Sequence, residues 1–157
     1  MVYRFVFTSV RTGPYDGVQL GAIALLGFEG DLLHIDTISN PGGLSPGAQG
    51  PERLIDYQSD AAGGSLTHEV LLASNEGKWY DGNFSVAGES QLLISLSTAE
   101  PVGGYRLLTA SDVPRRDPAS WRLEAVLPDG SHLQVHAVNS ASHIKGGTCA
   151  RPFQARS

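Results

Sequence analysis

Apolar and polar residues alternate along much of the chain, and this pattern predicts β-strands. Tyr3, Phe5 and Phe7 recur at every second position, which indicates a strand over residues 2–11 with one buried face. The same reasoning, with the turn residues between segments, predicts strands over residues 18–26, 31–38, 91–96, 105–110, 121–127 and 133–137. Helical periodicity is scarce, although residues 51–56 are compatible with a short helical turn that begins at a proline. The predicted fold class is therefore all-β.

Residues 109–121 join two of these alternating segments through a charged loop. Pro114 and Pro118 fix the backbone φ angle and lack an amide donor, so the residues between them cannot continue a central strand. We expect this segment to project from the sheet as a rigid, exposed loop. Its charged residues are Asp112, Arg115, Arg116 and Asp117.

Composition limits the class of protein. A chain of 157 residues predicts one domain, and its 19 glycines and 9 prolines are typical of a β-protein with many tight turns. The net charge of -5 argues against nucleic acid or an anionic membrane as the main partner, because both need a concentrated basic face. Cys149 is the sole cysteine, so no intrachain disulfide is possible. With neither a signal peptide nor a transmembrane segment in the sequence, we expect a soluble, intracellular protein.

Several short motifs occur in a characteristic order within residues 3–138. They are the aromatic strand at residues 3–8, Ser-Asn-Pro-Gly-Gly at 39–43, Pro-Glu-Arg-Leu-Ile-Asp at 51–56, Lys-Trp-Tyr-Asp at 78–81, and the Arg-Asp-Pro loop followed by Ser-Trp at 120–121. Together they resemble the discoidin-like domain, the galactose-binding-domain-like β-sandwich of coagulation factor C domains and many carbohydrate-binding modules. The resemblance implies a jelly-roll sandwich that binds a ligand through loops at one end and that is not an enzyme.

The chain departs from this family at residues 57–77, which lie where relatives have a short loop. The inserted segment carries four apolar residues among polar ones, and it can be interpreted as a helical turn or as an added strand. Long ordered insertions in compact domains are commonly functional, and exposed apolar side chains suit a protein contact. We therefore predict partner contacts by Leu66, Val70, Leu71 and Leu72.

Relatives in this family often hold a structural calcium ion, but the matching positions here lack acidic residues. Ala22 and Ala24 stand where relatives carry glutamate, and Tyr57 and Gln58 replace a glycine and an acidic residue. Calcium needs six or more oxygen ligands, several of them carboxylates. Neither a metal ion nor a cofactor is therefore expected.

The resemblance also implies two ligand-binding loops. The residues that match them are Tyr80, Asp81, Asn83 and Phe84 in the first loop, and Asp112, Arg115 and Arg116 in the second. This chemistry suits sugars, because an aromatic ring covers the apolar side of a pyranose while charged and amide groups bind its hydroxyls. The alternative is structural: Asp112, Arg116 and Asp117 would then tie the loop together by ion pairs and turn caps.

Two classes of function remain open at this stage. One is a lectin-like module that binds a galactose-type or other neutral glycan through the end loops. The other is a protein-interaction or accessory subunit of a larger assembly, which would use the same scaffold and the insertion at residues 57–77. Neither class requires catalysis.

Overall fold

A computed structural model describes residues 1–13, 16–59 and 77–139 of the chain. Antiparallel β-strands dominate these residues, which confirms the predicted all-β class. The strands are β1 (Val2–Val10), β2 (Val18–Leu20), β3 (Ala22–Leu26), β4 (Leu32–Leu33), β5 (Ile35–Ser39), β6 (Trp79–Asp81), β7 (Ser90–Leu96), β8 (Gly104–Leu108), β9 (Pro118–Val126) and β10 (His132–Val138). Two 3₁₀ helices, Pro51–Ser59 and Pro114–Arg116, and one short α-helix, α1 (Phe84–Ala87), complete the described elements.

The strands form three antiparallel sheets. The largest has the order β10-β9-β1-β7-β5, a second pairs β2 with β6, and the third has the order β4-β3-β8. Strand β1 lies at the centre of the largest sheet, where Phe5 is opposite Leu92 on β7 and Leu123 on β9. All three of these side chains are completely buried, so they mark the inner face of that sheet.

Aromatic side chains join the large sheet to the two smaller ones. The ring of Phe5 meets Tyr105 of β8 edge-to-face at 5.1 Å between centroids, and Phe7 lies 5.7 Å from Trp79 of β6. Trp79 and Trp121 are 0% and 2% exposed, so both tryptophans belong to the core. The described chain is therefore a two-layered, sandwich-like β-structure with one main core.

The strand predicted over residues 18–26 is interrupted at Gly21. The residues before Gly21 pair with β6, whereas those after it pair with β8. The amide of Gly21 itself donates to the carbonyl of Leu108 at 2.8 Å, so the chain changes partner without losing a hydrogen bond. The strand predicted over 31–38 is likewise divided, with His34 between β4 and β5.

The predicted helical turn at residues 51–56 is confirmed, but the 3₁₀ helix extends to Ser59. Tyr57, expected as the first residue of the insertion, belongs to this helix, and its buried ring packs against Ala22 and Ala24 on the outer face of β3. Gln58 continues the helix, and its amide accepts from the N–H of Ile35 at 2.8 Å and donates to the carbonyl of Ile35 at 2.9 Å.

Part of the predicted insertion lies outside the described residues. The structure describes residues 57–59 and 77 but not 60–76, so the partner contacts predicted for Leu66, Val70, Leu71 and Leu72 are not addressed by it. Cys149 also lies outside the described residues. Among the residues that are described, no helix is long and apolar enough to span a bilayer.

Candidate functional site

Four loops meet at one end of the two layers, which we call the loop end. Their described residues are 11–13 with 16–17, 40–50, 82–89 and 109–117, and they follow β1, β5, β6 and β8 respectively. Backbone hydrogen bonds join them. The amide of Gly82 donates to the carbonyl of Leu44 at 2.9 Å, and the amide of Thr12 donates to the carbonyl of Arg115 at 3.4 Å. The loop end contains both loops in which sequence analysis placed ligand residues.

A cavity of about 260 Å³ opens among three segments at the loop end. Its walls combine small residues and backbone with a few polar side chains. The lining residues are Gly47, Ala48, Gln49, Gly77, Lys78, Ser111 and Asp112. The only predicted ligand residue on this wall is Asp112.

Lys78 and Asp112 form the charged centre of this cavity. The Lys78 ammonium donates to both carboxylate oxygens of Asp112, at 2.8 and 2.7 Å, and to Oε1 of Gln19 at 3.1 Å. The hydrogen bond from Lys78 lowers the pKa of Asp112, so this carboxylate is ionised near neutral pH. The Asp112 side chain is 52% exposed and thus accessible to a ligand, whereas Lys78 is 18% exposed.

Gln19 supports this pair from beneath. Its side chain is fully buried, and Nε2 donates to the carbonyls of Asp112 at 2.5 Å and Val113 at 3.2 Å. Because Oε1 accepts from Lys78, one buried amide fixes both members of the ion pair. This is a preorganised arrangement, since its polar groups are held in place by the protein itself.

Val113, directly after Asp112, has an unusual backbone conformation. Its φ of 41° and ψ of 62° lie in the left-handed region, which is costly for a β-branched residue. The next residue, Pro114, further disfavours helical angles at this position. The hydrogen bond from Gln19 and one from the amide of Arg116 to Val113 hold this conformation. Ala48, on the opposite wall of the cavity, also has a positive φ, of 64°.

Beside the cavity, two arginines converge on Asp16. Arg115 donates to Oδ2 of Asp16 from Nε at 3.0 Å and from Nη2 at 2.6 Å, and Arg116 donates to Oδ1 at 2.7 Å. These bonds, with Arg116 contributing most, lower the pKa of Asp16 to about 2. The arginines therefore have an internal partner, which sequence analysis did not anticipate.

Tyr80 completes this second cluster. Its hydroxyl donates to the backbone carbonyl of Asp16, and the Arg116 guanidinium lies 4.6 Å from the centre of its ring. Gly17 and Gly82 flank the ring so closely that a Cβ at Gly17 would lie 2.6 Å from it. With Arg116 over one face, that face is not open to a sugar.

The remaining predicted residues of the first loop have internal partners. Asp81 is 2% exposed, and its Oδ1 accepts from the amides of Leu44 and Asn83, both at 2.9 Å. The Asn83 side chain donates to the carbonyl of Gly42 at 2.8 Å, and Phe84 is 1% exposed within the core. Because Asp81 and Phe84 do not reach the surface, we leave them out of the site proposed below.

Asp117 lies at the base of the second loop. It is 3% exposed, its Oδ2 is 3.7 Å from Nη1 of Arg11, and its Oδ1 has no hydrogen-bond partner among the described residues. Burial raises the pKa of this carboxyl to about 6, although Arg11 opposes the shift. Thus Asp112 pairs with Lys78 and Asp117 with Arg11, both in other segments of the chain, and not with Arg116 of their own loop as the structural alternative expected.

The sequence does not predict Lys78, Gln19 or Asp16 as parts of the site. It places Lys78 in the Lys-Trp-Tyr-Asp motif and Gln19 in the strand predicted over residues 18–26. None of the three has a local signal, because Lys78 meets Asp112 across 34 positions, Gln19 meets it across 93, and Asp16 meets Arg116 across 100.

Comparison of the chain with family models, with curated proteins and with solved structures gave no match, so the discoidin-like resemblance rests on the sequence motifs. Within residues 1–13, 16–59 and 77–139, no three histidine, cysteine, aspartate or glutamate side chains are grouped so that they could hold a metal ion.

Proposed function

We propose that this chain is a non-catalytic binding module with a discoidin-like jelly-roll fold, and that it binds a glycan at the loop end. The observation that carries the proposal is the cavity built around the Lys78–Asp112 pair. It combines a carboxylate, an ammonium and a hydroxyl with exposed backbone, which are the hydrogen-bonding groups that vicinal sugar hydroxyls require.

The size of the cavity supports a small ligand. Its volume of about 260 Å³ is slightly below the ~300–1,000 Å³ typical of sites for drug-sized molecules, which suits a single sugar ring at the end of a glycan. Small residues line the wall formed by Gly47 and Ala48, so a ring can approach the backbone closely. A galactose-type sugar is the first candidate because of the resemblance to galactose-binding relatives.

The electrostatics also suit a neutral ligand in the cavity itself. Lys78 and Asp112 neutralise each other, so an uncharged polyol meets no net charge there. The buried amide of Gln19 holds both groups before a ligand arrives, which reduces the entropy lost on binding.

The proposal is tested by glycan-array binding with the wild-type protein and Asp112→Asn. We expect the wild type to retain a narrow set of glycans and the variant to lose them by tenfold or more in affinity. Asp36→Asn is the matched control, because Asp36 is an exposed carboxylate at the start of β5, away from the cavity. If no glycan binds the wild type, or if both variants bind alike, the glycan proposal is wrong.

A second candidate function is a protein-interaction or accessory subunit of a larger assembly. The observation that favours it is the exposure of two apolar side chains on loops of the loop end: Leu44 is 68% exposed and Val86 of α1 is 85% exposed. A pull-down from native extract with the wild type and with Leu44→Ser/Val86→Ser tests this function. Loss of a partner in the double variant, with glycan binding unchanged, would favour it.

A further inference from the structure

The structure points to an anion-binding site at the loop end, formed by Arg115, Arg116 and Tyr80, which the carboxylate of Asp16 occupies in the absence of a ligand. The ligand group that we infer is a carboxylate or a sulfate ester carried by a glycan. This inference rests on the proposed glycan function and extends it, because it adds an acidic group to a sugar that sits in the neighbouring cavity.

The geometry of the two arginines suits an oxyanion. Both project from one short 3₁₀ helix, Pro114–Arg116, and both direct N–H groups at the two oxygens of a single carboxylate. Arginine binds carboxylate and sulfate oxygens through paired N–H donors, and two converging arginines bind an oxyanion more tightly than one. Asp16 thus has the position and the chemistry of a bound anion.

The environment of Arg116 holds its guanidinium in place. Its guanidinium is stacked on the Tyr80 ring at 4.6 Å, and its side chain is 20% exposed. Stacking holds the guanidinium plane in place even if Asp16 moves away. Arg115 is 61% exposed, so the site opens to solvent and an external anion can reach it.

The Asp16 carboxylate can release the arginines while its backbone stays in place. The Tyr80 hydroxyl binds the backbone carbonyl of Asp16, so the backbone is held independently of the carboxylate. Rotation about the side-chain torsion of Asp16 is sufficient to expose the arginines. Since the Asp16 side chain is 24% exposed, its carboxylate can turn towards water.

The site is close enough to the cavity for one ligand to occupy both. Asp112 lines the cavity, and the charges of Asp112 and Arg116 affect each other's pKa. Asp112 and Arg115 also lie in one rigid turn, where only Val113 and Pro114 separate them. A sugar in the cavity can therefore present an acidic substituent to the arginines.

Competition by the Asp16 carboxylate sets the apparent affinity of the arginine site for an external anion. If the carboxylate is turned away for a tenth of the time or less, an anion binds about tenfold or more weakly than it would to an open site. Replacing Asp16 by alanine removes this competition. We therefore expect Asp16→Ala to bind inorganic sulfate at least about tenfold more tightly than the wild type, and Asp16→Ala/Arg116→Ala to lose that gain.

The titration uses inorganic sulfate at constant ionic strength, followed by the NMR signal of the Arg116 Nε–H group. In the wild type we expect a weak but saturable shift of this signal, which a purely structural ion pair would not give. Asp36→Ala is the matched control, because it changes the net charge equally at a distant carboxylate. Asp16→Asn, which keeps the side-chain shape, replaces Asp16→Ala if alanine lowers the melting temperature into the range of the experiment.

Parallel titrations with D-galacturonate and D-galactose separate this inference from the proposed function. Tighter binding of sulfate and galacturonate by Asp16→Ala than by the wild type, with galacturonate bound more tightly than either sulfate or galactose, supports both. If Asp16→Ala binds sulfate more tightly but binds galacturonate no better than sulfate, the anion site is supported and the glycan proposal is not. If Asp16→Ala is folded but binds sulfate no more tightly than the wild type or Asp36→Ala, the anion site is wrong, even where a neutral glycan still binds.

Discussion

The side-chain nitrogen of Gln19 lies 2.5 Å from the carbonyl oxygen of Asp112, although 93 positions separate the two residues. This bond, together with those to Val113 and Lys78, connects the strand β2 to the cavity wall. The position of Asp112 is therefore set by a buried residue that does not itself line the cavity. Gln19 is a positioning residue of the proposed site.

We predict that Gln19→Met both destabilises the protein and loosens the cavity. The substitution leaves two partly buried carbonyls without their donor and Lys78 without one acceptor, and a fully buried unsatisfied group costs about 1–3 kcal/mol. We expect a loss of about 2–4 kcal/mol in the free energy of unfolding, measured with urea. Gln58→Met is the control, since the Gln58 amide also makes two backbone bonds but lies far from the cavity. Only Gln19→Met should weaken ligand binding; equal binding by both variants would contradict the positioning role.

The close packing around Tyr80 makes Gly17 hard to replace. A Cβ at Gly17 would lie 2.6 Å from the Asp81 carbonyl and from the Tyr80 ring, and its φ of 135° is unfavourable for any L side chain. Gly17→Ala should lower the free energy of unfolding by about 3 kcal/mol or more. Gly30→Ala should cost about 1–2 kcal/mol, because Gly30 also has a positive φ, of 86°, but no atom lies within 4 Å of its Cβ position. If chemical denaturation gives similar losses of unfolding free energy for the two variants, crowding at Tyr80 is unimportant.

Arg115 and Trp121 should respond in opposite ways to truncation. Arg115 is 61% exposed, so its ion pair with Asp16 is screened and Arg115→Ala should change stability by no more than about 1 kcal/mol. Trp121 is 2% exposed and donates to the Tyr105 hydroxyl at 2.9 Å, so Trp121→Ala should cost about 3–5 kcal/mol. Thermal and urea unfolding distinguish these values. Equal destabilisation would mean that Arg115 belongs to the core.

Asp117 should make the protein more stable as the pH falls from about 7 towards 4. Burial raises its pKa from 3.8 to about 6, so the folded state takes up a proton before the unfolded state does. Ionisation at neutral pH therefore costs stability, by up to about 3 kcal/mol, and this cost disappears below pH 4. Asp117→Asn should remove this dependence. The contribution of Asp117 is the difference in unfolding free energy between the variant and the wild type, measured from pH 4 to 7.5. A difference that stays constant over this range would contradict the raised pKa.

Calcium should not stabilise this protein. The ring of Tyr57 packs against Ala22 and Ala24, which are the positions where the discoidin-like pattern has acidic ligands. A tightly bound ion would raise stability by about 2.7 kcal/mol at a hundredfold excess over its dissociation constant. We expect the same melting temperature in millimolar calcium and in chelator. A reversible rise of several degrees with calcium would show that ligands lie elsewhere in the chain.

The sequence predicts individual strands well because alternation is a local property. The strand predicted over residues 2–11 corresponds to β1 (Val2–Val10), and that over 91–96 to β7 (Ser90–Leu96). The break at Gly21 could not be predicted, since β2 and β3 share one continuous apolar pattern and differ only in the strands with which they pair. Pairing depends on residues far along the chain, which periodicity does not report.

The same limit applies to the site. Asp112, Arg115 and Arg116 were predicted because one short segment of the sequence matches a ligand-binding loop of the discoidin-like pattern. Asp16 was missed because nothing in its own turn indicates that two arginines, 99 and 100 positions later, will surround it. Phe84 is a residue that was predicted as part of the site but lies outside it. It follows polar loop residues and was predicted as a ligand contact, but the short helix α1 directs its side chain into the core.

The side-chain amide of Gln58 protects an edge of the large sheet from pairing with another molecule. Strand β5 is an edge strand, and open edges offer N–H and C=O groups to which another chain can add. At Ile35 both groups are already bonded to Gln58, and Asp36 places a charge on the next residue. An incoming strand would have to displace the glutamine and desolvate the carboxylate, so this edge resists the sheet-to-sheet addition that leads to aggregation.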